Sequence, residues 1–209
     1  MRYSIRAYRK IRKRNMQDCI QDAIDLFSAL AEKNELIFKW KNTGSSKKKA
    51  LIQPFLELEN REVVEKLIKK GRNRNDFDGE YIQELGFSIF LWNGESSDDL
   101  RAKISVLNGS YSEYVTNSLC LDFPEFGSIS TNDLLAQSMI EIAVNAIDAD
   151  WAVLYRDDMD FSVGQGPFLD RALFLTNDAP TDTRRVEVFQ SSADHVYHHR
   201  NGKVFLKSM

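Results

Sequence analysis

The sequence predicts an α+β fold: a mostly antiparallel sheet with three main helices, in a single domain over 1–209. Three observations predict it. Compact apolar runs recur through the middle of the chain, at 86–92 (GFSIFLW), 102–107 and 114–123. Two turn-forming pairs, Asn93-Gly94 and Asn108-Gly109, fall between them, which favours an antiparallel meander over parallel crossovers. Three further stretches space their apolar residues as helices do.

The elements follow in order. Tyr3, Ile5 and Ala7 alternate with Ser4 and Arg6, the period of a strand. A basic connection from Arg9 to Arg14 leads to Asn15, an N-cap with Asp18 near the positive helix end. Met16, Cys19, Ile20, Ala23, Ile24, Phe27, Leu30 and Ala31 then mark one helical face. Residues 36–41, with Trp40, read as a short strand, and 42–49 (NTGSSKKK) as a polar, basic loop. A second helix runs over 60–70, burying Val63, Val64, Leu67 and Ile68. Glu62 with Lys66 and Glu65 with Lys69 stand four residues apart on it, and Gly71 is expected to end it in a left-handed cap.

After the three apolar strands, Pro124 stops the last one. Ser130 with Asp133 resembles a capping box opening a third helix to about Ile147, which buries Leu135, Met139, Ile142 and Ala146. Residues 151–155 (WAVLY) form a strand and 156–167 an acidic loop. Residues 173–175 and 186–189 are short strand candidates. Residues 195–199 and 203–207 flank Asn201-Gly202 as a terminal hairpin. The best break between lobes is 124–130, but nothing there demands two domains.

Composition bounds the function. Hydrophobic content of 43% and aromatic content of 11% are those of an ordinary globular protein. Two cysteines, Cys19 and Cys120, make no disulfide framework; both read as buried free thiols, which fits a cytoplasmic protein. No apolar segment follows the basic start as a secretory signal would need, and none reaches the roughly 20 residues of a membrane span.

Charge is distributed very unevenly. Residues 1–50 hold thirteen Lys and Arg against five acids, whereas 111–170 hold eleven acids and one basic residue, Arg156. An acidic face suits a cationic partner. Beside these acids stand Phe123, Phe126, Tyr155 and Phe161, aromatic candidates for a buried anchor. The expected contact residues are Asp122, Glu125, Phe126, Asp157, Asp158, Asp160 and Phe161.

Chemical motifs are weak by comparison. His195, His198 and His199 are the only histidines, and no Cys or acidic cluster completes a metal set at familiar spacing. Gly164-Gln165-Gly166 lacks the Lys and Ser or Thr of a phosphate loop. Asp157, Asp158 and Asp160 do not follow EF-hand spacing. No catalytic residue, metal or cofactor is therefore expected. Two alternatives stand beside a binding protein: a nucleic-acid-binding module using the basic 9–14 segment, and an unrecognised hydrolase using the acids or the histidine hairpin. A pI near 5.7 and the lack of an aromatic stacking platform weigh against the first.

Four features occur in order: Phe38-Lys39-Trp40; Glu84-Leu85-Gly86 leading into Phe90-Leu91-Trp92-Asn93-Gly94; Gly109 with Asn117; and 148–152 (DADWA) after a helix. Together they resemble the immunity protein 52 family of bacterial polymorphic toxin systems, over most of 1–155. The resemblance implies an α+β protein encoded beside a secreted toxin. It would act in the cytoplasm by binding that toxin and protecting the producing cell and its kin. Family toxins often carry a restriction-endonuclease-like nuclease domain delivered by type VI secretion, so the expected partner is a cationic nuclease domain, with no direct contact to nucleic acid or membrane. No catalytic residues carry over. Trp40, Trp92 and Trp151 look like core or near-core packing residues.

Overall fold

In the computed structural model, which describes residues 1–158, 166–179 and 183–208, nine strands form one sheet. They are β1 (Arg2–Arg9), β2 (Lys41–Asn42), β3 (Phe87–Trp92), β4 (Lys103–Asn108), β5 (Asn117–Pro124), β6 (Trp151–Arg156), β7 (Ala172–Thr176), β8 (His195–His199) and β9 (Gly202–Leu206). Their order is β2-β3-β4-β5-β1-β6-β7-β9-β8, and every pairing is antiparallel. The N-terminal strand is thus central. Strands from both halves of the chain flank it in the one sheet.

Period-two alternation assigns each face. Tyr3, Ile5 and Ala7 of β1, Leu119, Leu121 and Phe123 of β5, and Leu154 of β6 share one core with the helices. Three helices cover that face: α1 (Met16–Ala31), α3 (Arg61–Lys70) and α4 (Asp133–Ile147). Asn15 caps α1 by accepting from the Asp18 N–H, as its sequence suggests. Trp40 is wholly buried and meets Phe27 of α1 edge-on.

Among the described residues, a helix packs closely on the opposite face at one end. There α5 (Thr183–Ser192) sets Phe189 against Leu173, Leu175 and Phe205. Residues 186–189, expected as a strand, therefore lie within a fourth substantial helix. Val186 and Phe189, three apart, seat one helical face on the sheet, and four residues were too few to separate the two periods.

Other local expectations need correction. The 36–41 segment is a single 3-10 turn (Glu35–Ile37) followed by the two-residue β2, and part of the 42–49 loop winds into the short α2 (Lys47–Leu51), capped by Ser46. Gly71 ends α3 with φ of −81°, not in the left-handed region. Its lack of a side chain serves close approach instead: a Cβ there would stand 1.9 Å from the Ser88 carbonyl oxygen, while Ser88 N–H donates to Gly71 O at 2.8 Å. The N-cap of α4 is Asn132, accepting from Leu135 N–H, and Ser130 donates instead to Glu125. Asn93-Gly94 does not close a two-residue hairpin, since β3 and β4 are joined across 93–102. The Asn93 amide spans that loop by donating to Leu36 O at 3.0 Å and Leu100 O at 2.8 Å.

Candidate interaction surface

The uncovered part of the second face is built by register. Ser105 faces Phe90 on β3 and Cys120 on β5; Cys120 faces Arg6, and Arg6 faces Val153. In the adjacent row Lys103 lies between Trp92 and Asp122, and Ser4 between Asp122 and Tyr155. These side chains project away from the helix layer. Phe90 is 53% exposed in mid-strand, whereas the equivalent positions on β7 and β9 lie under α5.

Electrostatics on this face centres on β1. Arg6 pairs with Asp122 at 2.7 Å, and Ser4 Oγ donates to Asp122 at 2.8 Å with Asp157 3.4 Å away as the alternative acceptor. Burial by itself would lower the Arg6 pKa, but neighbouring Asp122 outweighs it and the guanidinium is held more firmly protonated than usual. Arg2 lies 3.6 Å from Asp157, and Arg156 lies 3.6 Å from Asp158 and 3.9 Å from Asp170. At the end of β1 and just beyond it, Arg9 and Arg12 reach Asp148 at 2.9 and 3.3 Å, and Lys10 N–H donates to Asp150.

The basic start and the acidic 111–170 run are thus complementary halves of one intramolecular arrangement. The expectation of a free acidic face is corrected accordingly: Asp122, Asp133, Asp148, Asp150, Asp157, Asp158 and Asp170 all have an arginine within ion-pair distance. Arg9 and Arg12 are likewise committed, which leaves the 9–14 segment a poor phosphate-binding patch.

The expected contact residues divide. Asp122 and Asp157 are brought together around Ser4, with Asp158 following Asp157 and exposed; the Asp158 side chain is 67% accessible. Glu125 is separate. Beyond the end of β5 it accepts from Ser130 and, after burial itself, is the next cause raising the Tyr3 pKa, which places it on the helix side of β1. Phe126 is 7% exposed and packs 5.4 Å from Phe123, so it is a core residue rather than an available anchor. Phe123 and Tyr155 are buried as well. Asp160 and Phe161 lie outside the described residues.

Residues that sequence reasoning missed are Arg6, Phe90, Lys103 and Cys120. Their signal was the odd-even alternation of Phe90 and Trp92 against Ile89 and Leu91, masked because GFSIFLW reads as apolar throughout. Among the described residues no three His, Cys, Asp or Glu side chains are grouped to hold a metal, and no helix is long and apolar enough to cross a membrane. Cys19 sits in the helix layer and Cys120 on the opposite face, both as free thiols.

The four sequence features map onto structural joints. Gly86 has φ of 64°, and a Cβ there would fall 2.3 Å from Asn108 O. The Glu84 carbonyl accepts from the Tyr111 and Ser112 N–H groups and from Ser110 Oγ. Buried Asn117 accepts from Ser110 N–H and donates to Lys10 O and Ser110 O. Asp148 takes the left-handed cap of α4, and Trp151 packs on Tyr8 with ring centroids 4.5 Å apart. Trp40 and Trp92 are buried and Trp151 partly so, as expected of packing residues.

The fold is an α+β antiparallel sheet with its main helix layer on one face and α5 on part of the other, and its signature residues sit at structural joints. The model of the immunity protein 52 family matches residues 2–179, and the chain belongs to that family. The match runs past 1–155, through β7. Comparison with curated proteins gave no significant match. The protein is an immunity protein: it neutralises a cognate toxin by binding it, and is not an enzyme.

Proposed function

We propose that the toxin is a nuclease domain delivered by a type VI secretion system. We further propose that the protein meets it in the cytoplasm through the end of the open sheet face where Asp122, Asp157 and Asp158 gather. The supporting observation is the junction at Ser4, whose hydroxyl donates to Asp122 at 2.8 Å with Asp157 3.4 Å away as the alternative acceptor, so that two carboxylates lie together in one region. A nuclease cleft is lined with Lys and Arg to hold phosphates. Fixed carboxylates can occupy such a surface and exclude DNA. Because Arg2, Arg6 and Arg156 already balance much of this charge, the acids act at contact distance more than as a long-range steering field.

The test is co-purification with the toxin domain encoded beside the gene, followed by DNA cleavage with and without the protein. Stoichiometric protection is expected, and Asp122→Lys with Asp157→Lys should weaken it. Undiminished cleavage in the presence of excess protein would refute the reading.

A further inference from the structure

Resting on the reading of this chain as a toxin-binding protein, we propose that the groove between α2 and the open face of β3, β4 and β5 receives an apolar, acidic segment of the toxin. The groove encloses about 600 Å³. Phe90, Trp92 and Cys120 line it from the sheet, and Lys47 and Ala50 from α2. The Trp92 indole N–H donates to Asn42 O at 3.2 Å, so the ring, only 8% exposed, is held in place as part of the groove wall. Phe90 is the mid-strand aromatic that this face leaves uncovered. Aromatic side chains in a concave apolar setting are the usual anchors of a protein interface.

The charges of the lining select the occupant. Asp122 is occupied by Arg6 and Ser4. Arg101 is occupied by Asp98 and by the carbonyls of Glu95 and Ser96. Lys47 and Lys103 also line the groove, and neither makes an ion pair among the described residues. Lys103 stands opposite Asp122 across β4 and β5 without pairing with it, and Lys47, Arg101 and Lys103 outnumber that one carboxylate in the lining, so this apolar floor with a net positive rim is complemented by apolar side chains flanked by Asp or Glu. The groove adjoins the carboxylates at Ser4, sharing Asp122 with them, and the two regions together would read a toxin surface that presents both signs.

The experiment replaces Phe90 with the photo-cross-linker p-benzoylphenylalanine, mixes the variant with the toxin domain encoded beside the gene, and maps the cross-linked toxin peptide by mass spectrometry. The expected product is a peptide combining apolar residues with Asp or Glu. In parallel, Lys47→Glu with Lys103→Glu should weaken binding about 10-fold or more. Lys66→Glu with Lys70→Glu, the same charge change on exposed positions of α3, should alter it less than about 2-fold. A wild-type complex with no cross-link at position 90 and unchanged affinity in the groove variant overturns the groove while sparing the toxin-binding reading. A cross-link to a basic segment, or a small molecule released from the groove on denaturation, also overturns it. Failure of the wild-type chain to bind the toxin overturns both.

Discussion

Asn117 separates an architectural reading of the family signature from a contact reading. The residue is wholly buried at the start of β5. Its side chain accepts from Ser110 N–H at 2.8 Å and donates to Lys10 O at 2.8 Å and Ser110 O at 3.0 Å, tying the end of β1 to the 109–116 loop. In Asn117→Ala, Ser110 O keeps a partner because Arg12 N–H also donates to it, at 3.0 Å. Ser110 N–H and Lys10 O lose theirs. Ser110 N–H is buried whereas Lys10 is exposed and its carbonyl can turn to water, so one unsatisfied buried group sets the cost, and a loss of roughly 1–3 kcal/mol is expected. Asn117→Asp sharpens the test. It preserves shape and the bond from Ser110 N–H, but turns a carboxylate toward two carbonyl oxygens. Its cost should therefore equal or exceed that of the alanine variant. The assay is urea denaturation followed by tryptophan fluorescence, alongside toxin binding below the transition. If both variants keep wild-type stability and lose toxin binding, Asn117 is a contact residue and the architectural reasoning fails.

Two further outcomes follow from other buried groups. Arg171 is fully buried and donates to Ile129 O and Lys207 O, both at 2.8 Å, and to Asp133 at 2.7 Å. Arg171→Met should cost about 3–5 kcal/mol in denaturant titration. A loss under about 1 kcal/mol would show that the clamp between β7, α4 and the C-terminal segment is dispensable. Cys19 is 3% exposed, and burial pushes its thiol up to about 11. The folded state thus retains the thiol proton where the unfolded chain, with an ordinary thiol pKa near 8.5, releases it. Its contribution is complete below that pH and disappears as pH rises toward 11, about 3 kcal/mol in all. Cys19→Ala should flatten stability between pH 8.5 and 11, and an unchanged pH slope would contradict the assignment.

Elements with a strong period were legible in the sequence. The face of α1, the strands β3 to β5 and the terminal hairpin needed only alternation or helical spacing and adjacent turn residues. What stayed hidden depends on long-range pairing. No local pattern places β1 between β5 and β6, because the strand order is set by contacts more than 100 residues apart in sequence. The capping of α4 turned on a single position: Ser130 and Asn132 are both good caps, and Ser130 was diverted by Glu125. The half-open face was invisible for a related reason. A strand buried on one side that carries aromatic residues on the other reads as continuously apolar, so the exposure of Phe90 could not be told from the sequence alone.

The charge pattern teaches the same lesson in functional terms. Basic and acidic blocks far apart in a chain suggest a charged surface awaiting a partner, but the partner can be the other block. Here β1 and the segment just after it mediate: Arg6 faces the open side, while Arg2, Arg9 and Arg12 reach the connecting segments, each toward an acid from 111–170. Pairs of this kind, partly exposed, contribute modestly to stability, but they cancel much of the field at long range. In the groove proposed above, discrimination among toxins would come from Lys47 and Lys103, which make no ion pair among the described residues, and from the shape around the exposed ring of Phe90. Weak steering with a specific groove implies an association rate that is less sensitive to salt than the sequence charge suggests, and an affinity controlled by dissociation.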